Sequence, residues 1–214
     1  MVETVSESRL ANSPKRQNIL AAARQIFCEL GFERASVDGI AARAGVSKAT
    51  VYSHFQDKNA LFVASFSQEV DALRSDFLAC LKEPKGAIEG ALQTIGEKLM
   101  HVALSPSVVA LYRHASAESA RFPEIGQLLF ERGPVVVQDT LAAYLSRWAK
   151  QGELEIEEPR TAAIHFGVLC QGDLAVRAQL GILPESAQRE IRDTVKAGVT
   201  AFLRAYQPAI PAAG

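Results

Sequence analysis

Apolar residues along this chain of 214 recur at intervals of three and four, and strand signals are nearly absent, with no run of alternating Val, Ile, Thr or Tyr. A period near 3.6 gathers such residues into one stripe of a helix, whereas a half-buried strand needs a period of two. The chain is therefore expected to be all-α. Proline adds to this expectation, because its fixed φ and missing N–H suit the first turn of a helix and not its interior. Breaks fall at Pro14, Pro84, Pro106, Pro123, Pro134, Pro159 and Pro184, with another at Gln151, Gly152. That spacing predicts helices of about 12 to 22 residues joined by short connections, as in a bundle.

The amino-terminal part carries the clearest local signals. Ser13 can cap a first helix, Pro14 suits its first position, and Ile19, Ala22, Ala23, Ile26, Phe27 and Leu30 form one stripe before Gly31, a residue able to end a helix at positive φ. Ser36 can cap a second helix, Val37 to Ala44, that stops at Gly45, and Ser47 can cap a third that ends near His54. Asp57 can cap a fourth along Leu61, Phe62, Ser65, Phe66, Val70, Leu73, Phe77 and Leu78, to about Cys80. Two short helices meeting at Ala44, Gly45, Val46 form a helix-turn-helix, and Ala41 supplies the small residue that a close crossing needs.

On the third helix Val51 and Phe55 lie one turn apart and are expected to face the core, so Ala49, Thr50 and Ser53 face away, with Lys48 at the amino-terminal end. An exposed face of small, polar and cationic residues suits entry into a major groove, where bulky apolar groups would meet hydrated base edges. Tyr52, His54, Lys58 and Ser36 are placed to hold phosphates. Val37 and Ser47, at the starts of the two helices, complete the candidate DNA-binding set.

Charge agrees with this division. Residues 15 to 58 hold seven basic and four acidic side chains, while residues 59 to 214 hold 15 basic and 18 acidic, within a net charge of −1. A cationic head on an anionic body fits a phosphate-binding module joined to something else. The three cysteines, Cys28, Cys80 and Cys170, are an odd count at wide spacings, which predicts buried free thiols in a reducing cytoplasm and no disulfide framework. With no apolar run long enough to span a bilayer and no secretory pattern at Met1 to Glu7, neither a membrane association nor export is expected. His54 has no Cys or His partner at metal spacing, so no metal and no cofactor are expected. An enzyme is disfavoured by the absence of GxSxG, HExxH, Walker and GxGxxG patterns. A helical small-molecule carrier or enzyme without DNA binding remains the alternative function.

Ser36, Ile40, Ala41, Ala44, Gly45, Val46, Ser47, Tyr52, His54, Phe55, Lys58 and Leu61 together resemble the helix-turn-helix of the TetR family of bacterial transcriptional regulators, with Ala49 where a Gly is common. The stretches AESARFPEIGQLLFERGP and QGDLAVRAQLG look like the C-terminal domain of the AefR-like subgroup. The resemblance implies a DNA-binding domain over 13–58 and a ligand-binding and dimerisation domain over 59–207, while the residues at 1–12 and 208–214 themselves read as mobile tails. It implies a repressor that binds double-stranded operator DNA as a homodimer and answers to a small apolar effector.

Within the body, His101, Tyr112, His114, Trp148, Phe166, Cys170 and Asp173 are the candidates for lining an effector cavity. Asp173 and Arg177 stand one turn apart, as a local ion pair would. Phe166, Leu169, Cys170 and Leu174, with Ile191, Val195, Gly198, Val199 and Phe202, form two apolar stripes containing small residues. Core packing explains these stripes, and so does pairing with a second copy across a twofold axis, as the resemblance implies for Phe166, Leu169, Leu174, Ile191, Val195, Gly198, Val199 and Phe202.

Overall fold

The computed structural model describes residues 13–81, 86–121, 123–184 and 186–208; the expected mobile tails at 1–12 and beyond 208 lie outside them. Among the described residues the chain is helical and has no strand. It divides into two compact units, Met1–Glu69 and Val70–Gly214.

The first unit holds α1 (Pro14–Arg34), α2 (Val37–Ala44), α3 (Lys48–His54) and the first half of α4 (Lys58–Ala79). Each start is closed by the side chain expected to do so. Ser13 Oγ accepts from Arg16 N–H at 3.3 Å, Ser36 Oγ from Gly39 N–H at 3.0 Å, Ser47 Oγ from Thr50 N–H at 3.1 Å, and Asp57 Oδ1 from Ala60 N–H at 2.7 Å. These bonds satisfy amides that have no partner within the helix. α1 breaks at Gly31 (φ 75°, ψ 170°) and continues for one short turn to Arg34. Leu30, expected in the buried stripe, is 41% exposed beside that break.

Ile19, Ala23, Ile26, Phe27, Ile40, Val51, Phe55, Leu61, Phe62 and Phe66 are buried in this unit. Phe62 meets Phe27 edge-on at 4.9 Å and Phe32 at 5.5 Å between ring centroids, so the start of α4 belongs to the same core as the helices before it. The compact unit thus runs to Glu69, beyond the boundary at Lys58 that the motif alone suggests. The side chains of Val70 and Leu73 in the expected α4 stripe lie outside the described residues.

The second unit contains the rest of α4, then α5 (Ile88–Ala103), α6 (Pro106–Glu118), α7 (Pro123–Phe130), α8 (Val136–Lys150), α9 (Pro159–Gln171), α10 (Leu174–Leu180) and α11 (Gln188–Tyr206). Pro106, Pro123 and Pro159 each open a helix, as expected. Pro134 does not. A π-helical turn, Glu131–Val135, carries α7 into α8 through Gly133 and Pro134. One extra residue in the turn widens it and gives room to a ring that a regular helix would exclude. In the other direction, the stretch Phe166 to Leu180, expected to run as one helix, is interrupted at Gly172 (φ 51°) and yields the seven-residue α10.

The core of this unit is built from α5, α8, α9 and α11 around Leu92, Ile95, Met100, Leu141, Tyr144, Leu145, Phe166, Val195 and Phe202. Gly198 sits directly against the backbone of Leu169 and Cys170: a Cβ there would lie 2.6 Å from the Leu169 carbonyl carbon and 2.8 Å from Cys170 N, and closer still to the Leu169 oxygen. The close approach that Gly198 permits is therefore between α9 and α11 of the same chain. Phe166, Leu174, Val195, Gly198, Val199 and Phe202 are all buried within it, which removes their side chains from the expected dimer face. Of that set only Leu169 (37% exposed) and the half-buried Ile191 remain accessible. Both apolar stripes were satisfied by each other because a small residue let the helices close up.

Candidate nucleic-acid interface and ligand cavity

The turn between α2 and α3 consists of Gly45, Val46 and Ser47. Gly45 takes the left-handed conformation (φ 67°, ψ 34°), which costs a side chain dearly and glycine little, and Val46 N–H bonds back to Ala41 O at 3.0 Å to close the end of α2. Ala41 is buried where the helices meet, and Val51 (1% exposed) and Phe55 anchor the inner side of α3. That anchoring fixes which side chains α3 presents outward. Lys48, Ala49, Tyr52 and Ser53 are exposed, while Thr50 and His54 are half-buried.

The polar groups on this face are already engaged locally. Thr50 Oγ1 and Ser47 Oγ share a hydrogen bond of 2.8 Å, and Ser53 Oγ donates to Thr50 O at 2.8 Å. Lys48 Nζ forms an ion pair with Asp38 Oδ2 at 2.9 Å, and this hydrogen bond holds the lysine above its ordinary pKa. Asp38 lies in the first turn of α2 and was missed by sequence reasoning, although an acid beside the start of a helix ten residues before a candidate base reader was a usable signal. Tyr52 is 47% exposed.

Two of the side chains expected to hold phosphates have partners within the chain. Lys58 Nζ lies 4.3 Å from the centre of the Phe32 ring and donates to Glu33 O at 3.4 Å, and the Ser36 hydroxyl is the α2 cap. The Val37 side chain is buried at 8% exposure, so only its backbone can reach a phosphate, through an amide in the first turn of α2 that the helix leaves unpaired.

The second unit holds a partly open cavity of about 290 Å³ among α4 to α10. Its wall is mostly aliphatic, with Leu99, Val108, Leu111, Val137, Leu141 and Ile164 among the contributors, and its polar groups are Arg74, Tyr112, Gln138, Gln171 and Gln179. Burial raises the Tyr112 pKa, so its phenol is a neutral donor. Of the seven side chains expected to line a cavity, Tyr112 alone does.

The others are placed elsewhere by packing. His101 and Asp173 are exposed, Asp173 lying 3.6 Å from Arg177, which is held mainly by Glu190. Trp148 and Phe166 are buried in the core, and His114 is buried on α6. Cys170 is also core, and burial pushes its thiol up to about 12. Cys28, expected to be buried, is exposed, and Cys80 is half-buried. No helix among the described residues is long and apolar enough to cross a membrane, and no group of three or more His, Cys, Asp or Glu is placed to hold a metal.

Comparison with known proteins covers both units. Residues 19–65 match the model for bacterial regulatory proteins of the tetR family, and residues 90–208 match the C-terminal domain of AefR-like transcriptional repressors. The crystal structure of a TetR-family transcriptional regulator from Mesorhizobium loti superposes with a TM-score of 0.82 at 26% identity, covering 91% of this chain and 97% of that one. The flavonoid-responsive regulator FrrA is similar at 34% identity with a TM-score of 0.73, over 92% of this chain and 98% of FrrA. The transcriptional activator FasR of Mycolicibacterium smegmatis is 39% identical over 75 residues, which are 35% of this chain and 34% of FasR, so the chain matches only about a third of that curated relative's length. From the helix-turn-helix through the carboxy-terminal bundle, the chain belongs to the TetR family of bacterial regulatory proteins, with an AefR-like C-terminal domain.

Proposed function

We propose that the protein is a cytoplasmic, ligand-responsive transcriptional repressor that binds a near-palindromic operator as a homodimer and has no catalytic role. The observation that carries this reading is the outer face of α3, where Lys48, Ala49, Tyr52 and Ser53 are exposed on a helix locked from behind by Val51 and Phe55. Lys48, Thr50 and Ser53 read bases; Tyr52, His54, Lys58, the Ser36 and Ser47 helix starts and the Val37 amide hold phosphates. Lys48 must leave Asp38 and Lys58 must swing away from Phe32 to do so. Both are single-residue rotations; the exposed Lys48–Asp38 pair holds its members weakly, and the half-buried Lys58 gives up a cation–π contact with Phe32. Repression, rather than activation, is favoured by the C-terminal domain type, since the likeness to the activator FasR is confined to 75 residues.

Burial of most of the expected dimer residues within the bundle moves our proposed dimer face elsewhere. Ile164 and Val168 on α9, which also line the cavity, and Ala197 and Ala201 on α11 are exposed, and we place the second copy against these residues. Twofold pairing would set two α3 helices on successive major grooves, about 34 to 36 Å apart. The cavity is the effector site. Because FrrA is flavonoid-responsive, flavonoids are the first ligand class to test.

Coupling runs through α4, whose first half packs in the DNA-binding unit and whose Arg74 lines the cavity. A difference of about 1 to 3 kcal/mol in effector binding between the DNA-competent and incompetent states is enough for a 5- to 150-fold change in operator affinity. The test is genomic selection of bound fragments followed by titration of the recovered operator over a range of salt. A steep fall in affinity with salt, together with a footprint of two half-sites, is expected. Binding that is insensitive to salt, or a sedimenting species of 23.1 kDa at micromolar concentration, would refute this reading.

A further inference from the structure

One group in the cavity wall differs in kind from its neighbours. Among the described residues, Arg74 is the one charged side chain that lines the cavity, and no carboxylate lines it. Its guanidinium donates to Asp71 Oδ1 at 2.6 Å and to the carbonyl oxygen of Arg132 in the π-helical turn. The two sides of the ion pair are unequally hydrated, with the Asp71 side chain 59% exposed and that of Arg74 24%. Water therefore screens the carboxylate more than the guanidinium, and of the two only the guanidinium's residue lines the cavity. The largely aliphatic wall offers a guest few other polar partners, so a charge-assisted hydrogen bond to the guanidinium weighs heavily in what binds. A guanidinium has five N–H donors in a planar fork, enough to keep Asp71 and Arg132 and still meet a planar pair of oxygens.

Resting on the reading of the cavity as the effector site, we propose that Arg74 sets its selectivity and that the effector class is amphipathic acids: an apolar body carrying one carboxylate or ionised phenol. The acid group meets Arg74, the neutral Tyr112 phenol and the glutamine amides hydrogen-bond secondary oxygens, and the aliphatic wall takes the body. Cationic guests bind more weakly because no carboxylate among the described lining residues can pair with them.

The experiment uses N-phenyl-1-naphthylamine, a neutral probe that fluoresces in apolar sites, displaced by 1-naphthoate or by 1-naphthylmethylamine, which is cationic at neutral pH. Wild-type protein should be emptied of probe by the naphthoate at a concentration at least about tenfold below that needed with the amine, the scale of a charge-assisted hydrogen bond. R74Q should collapse that ratio, each competitor being read against the variant's own probe titration, and R74K should retain part of it. G167L, which adds a side chain where a Cβ meets no atom within 4 Å and the residue faces the cavity, should abolish probe binding.

If the amine competes as well as the naphthoate on wild-type protein, or if R74Q keeps the ratio while G167L blocks the probe, the role of Arg74 is wrong and the cavity reading stands. If the probe fails to bind, or binds G167L as well as wild type, the cavity reading falls and the Arg74 proposal with it. The wild-type ratio needs no variant, so a poorly folding R74Q leaves the proposal testable.

Discussion

Replacing Gly198 with alanine tests whether the closest helix contact is internal to the chain. An added methyl would lie 2.6 Å from the Leu169 carbonyl carbon and 2.8 Å from Cys170 N, and backbone atoms within a helix cannot step aside as a side-chain tip can. The two helices must part by roughly 1 Å, loosening Val195, Val199 and Phe202 against Phe166 and Cys170. Overpacking of this kind costs about 1 to 3 kcal/mol, and the absence of any flexible neighbour puts this case near the top of that range. Alanine recovers about 1 kcal/mol of helix propensity, which leaves a net loss of about 2 kcal/mol.

For a chain of this size each kcal/mol moves Tm by about 2 to 4 °C, so Gly198→Ala should melt about 4 to 8 °C lower. Gly167→Ala is the matched control in α9. No atom lies within 4 Å of its added Cβ, so the propensity gain should appear alone as a rise of about 2 to 4 °C. Circular dichroism at 222 nm, repeated over a hundredfold range of protein concentration, reads both variants. If Gly198→Ala is stabilising like Gly167→Ala, the packing argument is wrong. If its penalty grows only on dilution, Gly198 acts at a dimer interface and not within the bundle.

Further outcomes follow from particular side chains. Asp38→Asn removes the carboxylate that holds Lys48 at 2.9 Å, so operator affinity measured by fluorescence anisotropy should rise and its salt slope steepen; a weaker complex would mean that the pair positions Lys48 for DNA. Lys58→Ala should weaken all DNA sequences alike and lower the salt slope by about one charge per half-site, and an unchanged slope would leave Lys58 as the partner of Phe32 only. Iodoacetamide at pH 8 should label the exposed Cys28 in the native protein, whereas Cys170, buried and with its thiol pushed up to about 12, should react only after unfolding. The hydrogen bonds from Arg43 and Arg177 hold Glu29 and Glu190 below the ordinary carboxylate range. Their stabilising effect is present above the unfolded-state pKa near 4.5 and is lost as pH falls through the lower folded values. Acid titrations should therefore be flatter in the Glu29→Gln, Glu190→Gln double variant; an identical acid transition would show that neither pair matters.

The positions of the first four helices were legible because their signals are local. Ser13, Ser36, Ser47 and Asp57 each bond to an amide three residues on, and Gly45 answers to a turn whose geometry is set within a few residues. The α3 face was legible for the same reason, since Val51 and Phe55 one turn apart leave only one side of a seven-residue helix to solvent. Asp38 and Phe32 were not, because their engagement of Lys48 and Lys58 depends on how helices separated in sequence come together.

In the carboxy-terminal unit, apolar periodicity marked the faces to be buried without saying what buries them. Val195, Gly198 and Val199 could have met a second copy as well as α9 until the backbone of Leu169 was found against Gly198. The residues chosen as cavity lining were the conspicuous ones, His101, His114 and Trp148, yet the cavity is walled by Leu99, Val108, Val137 and Ile164. Aliphatic side chains around a void are the same residue types as those in a packed core, so composition cannot separate them. The sequence by itself determined where helices begin, end and turn, because those events are decided within one turn of backbone. Which apolar faces meet, and where they fail to meet and leave a cavity beside Arg74, was decided only by the tertiary structure, because side-chain volumes from distant segments must be summed in three dimensions before a gap exists.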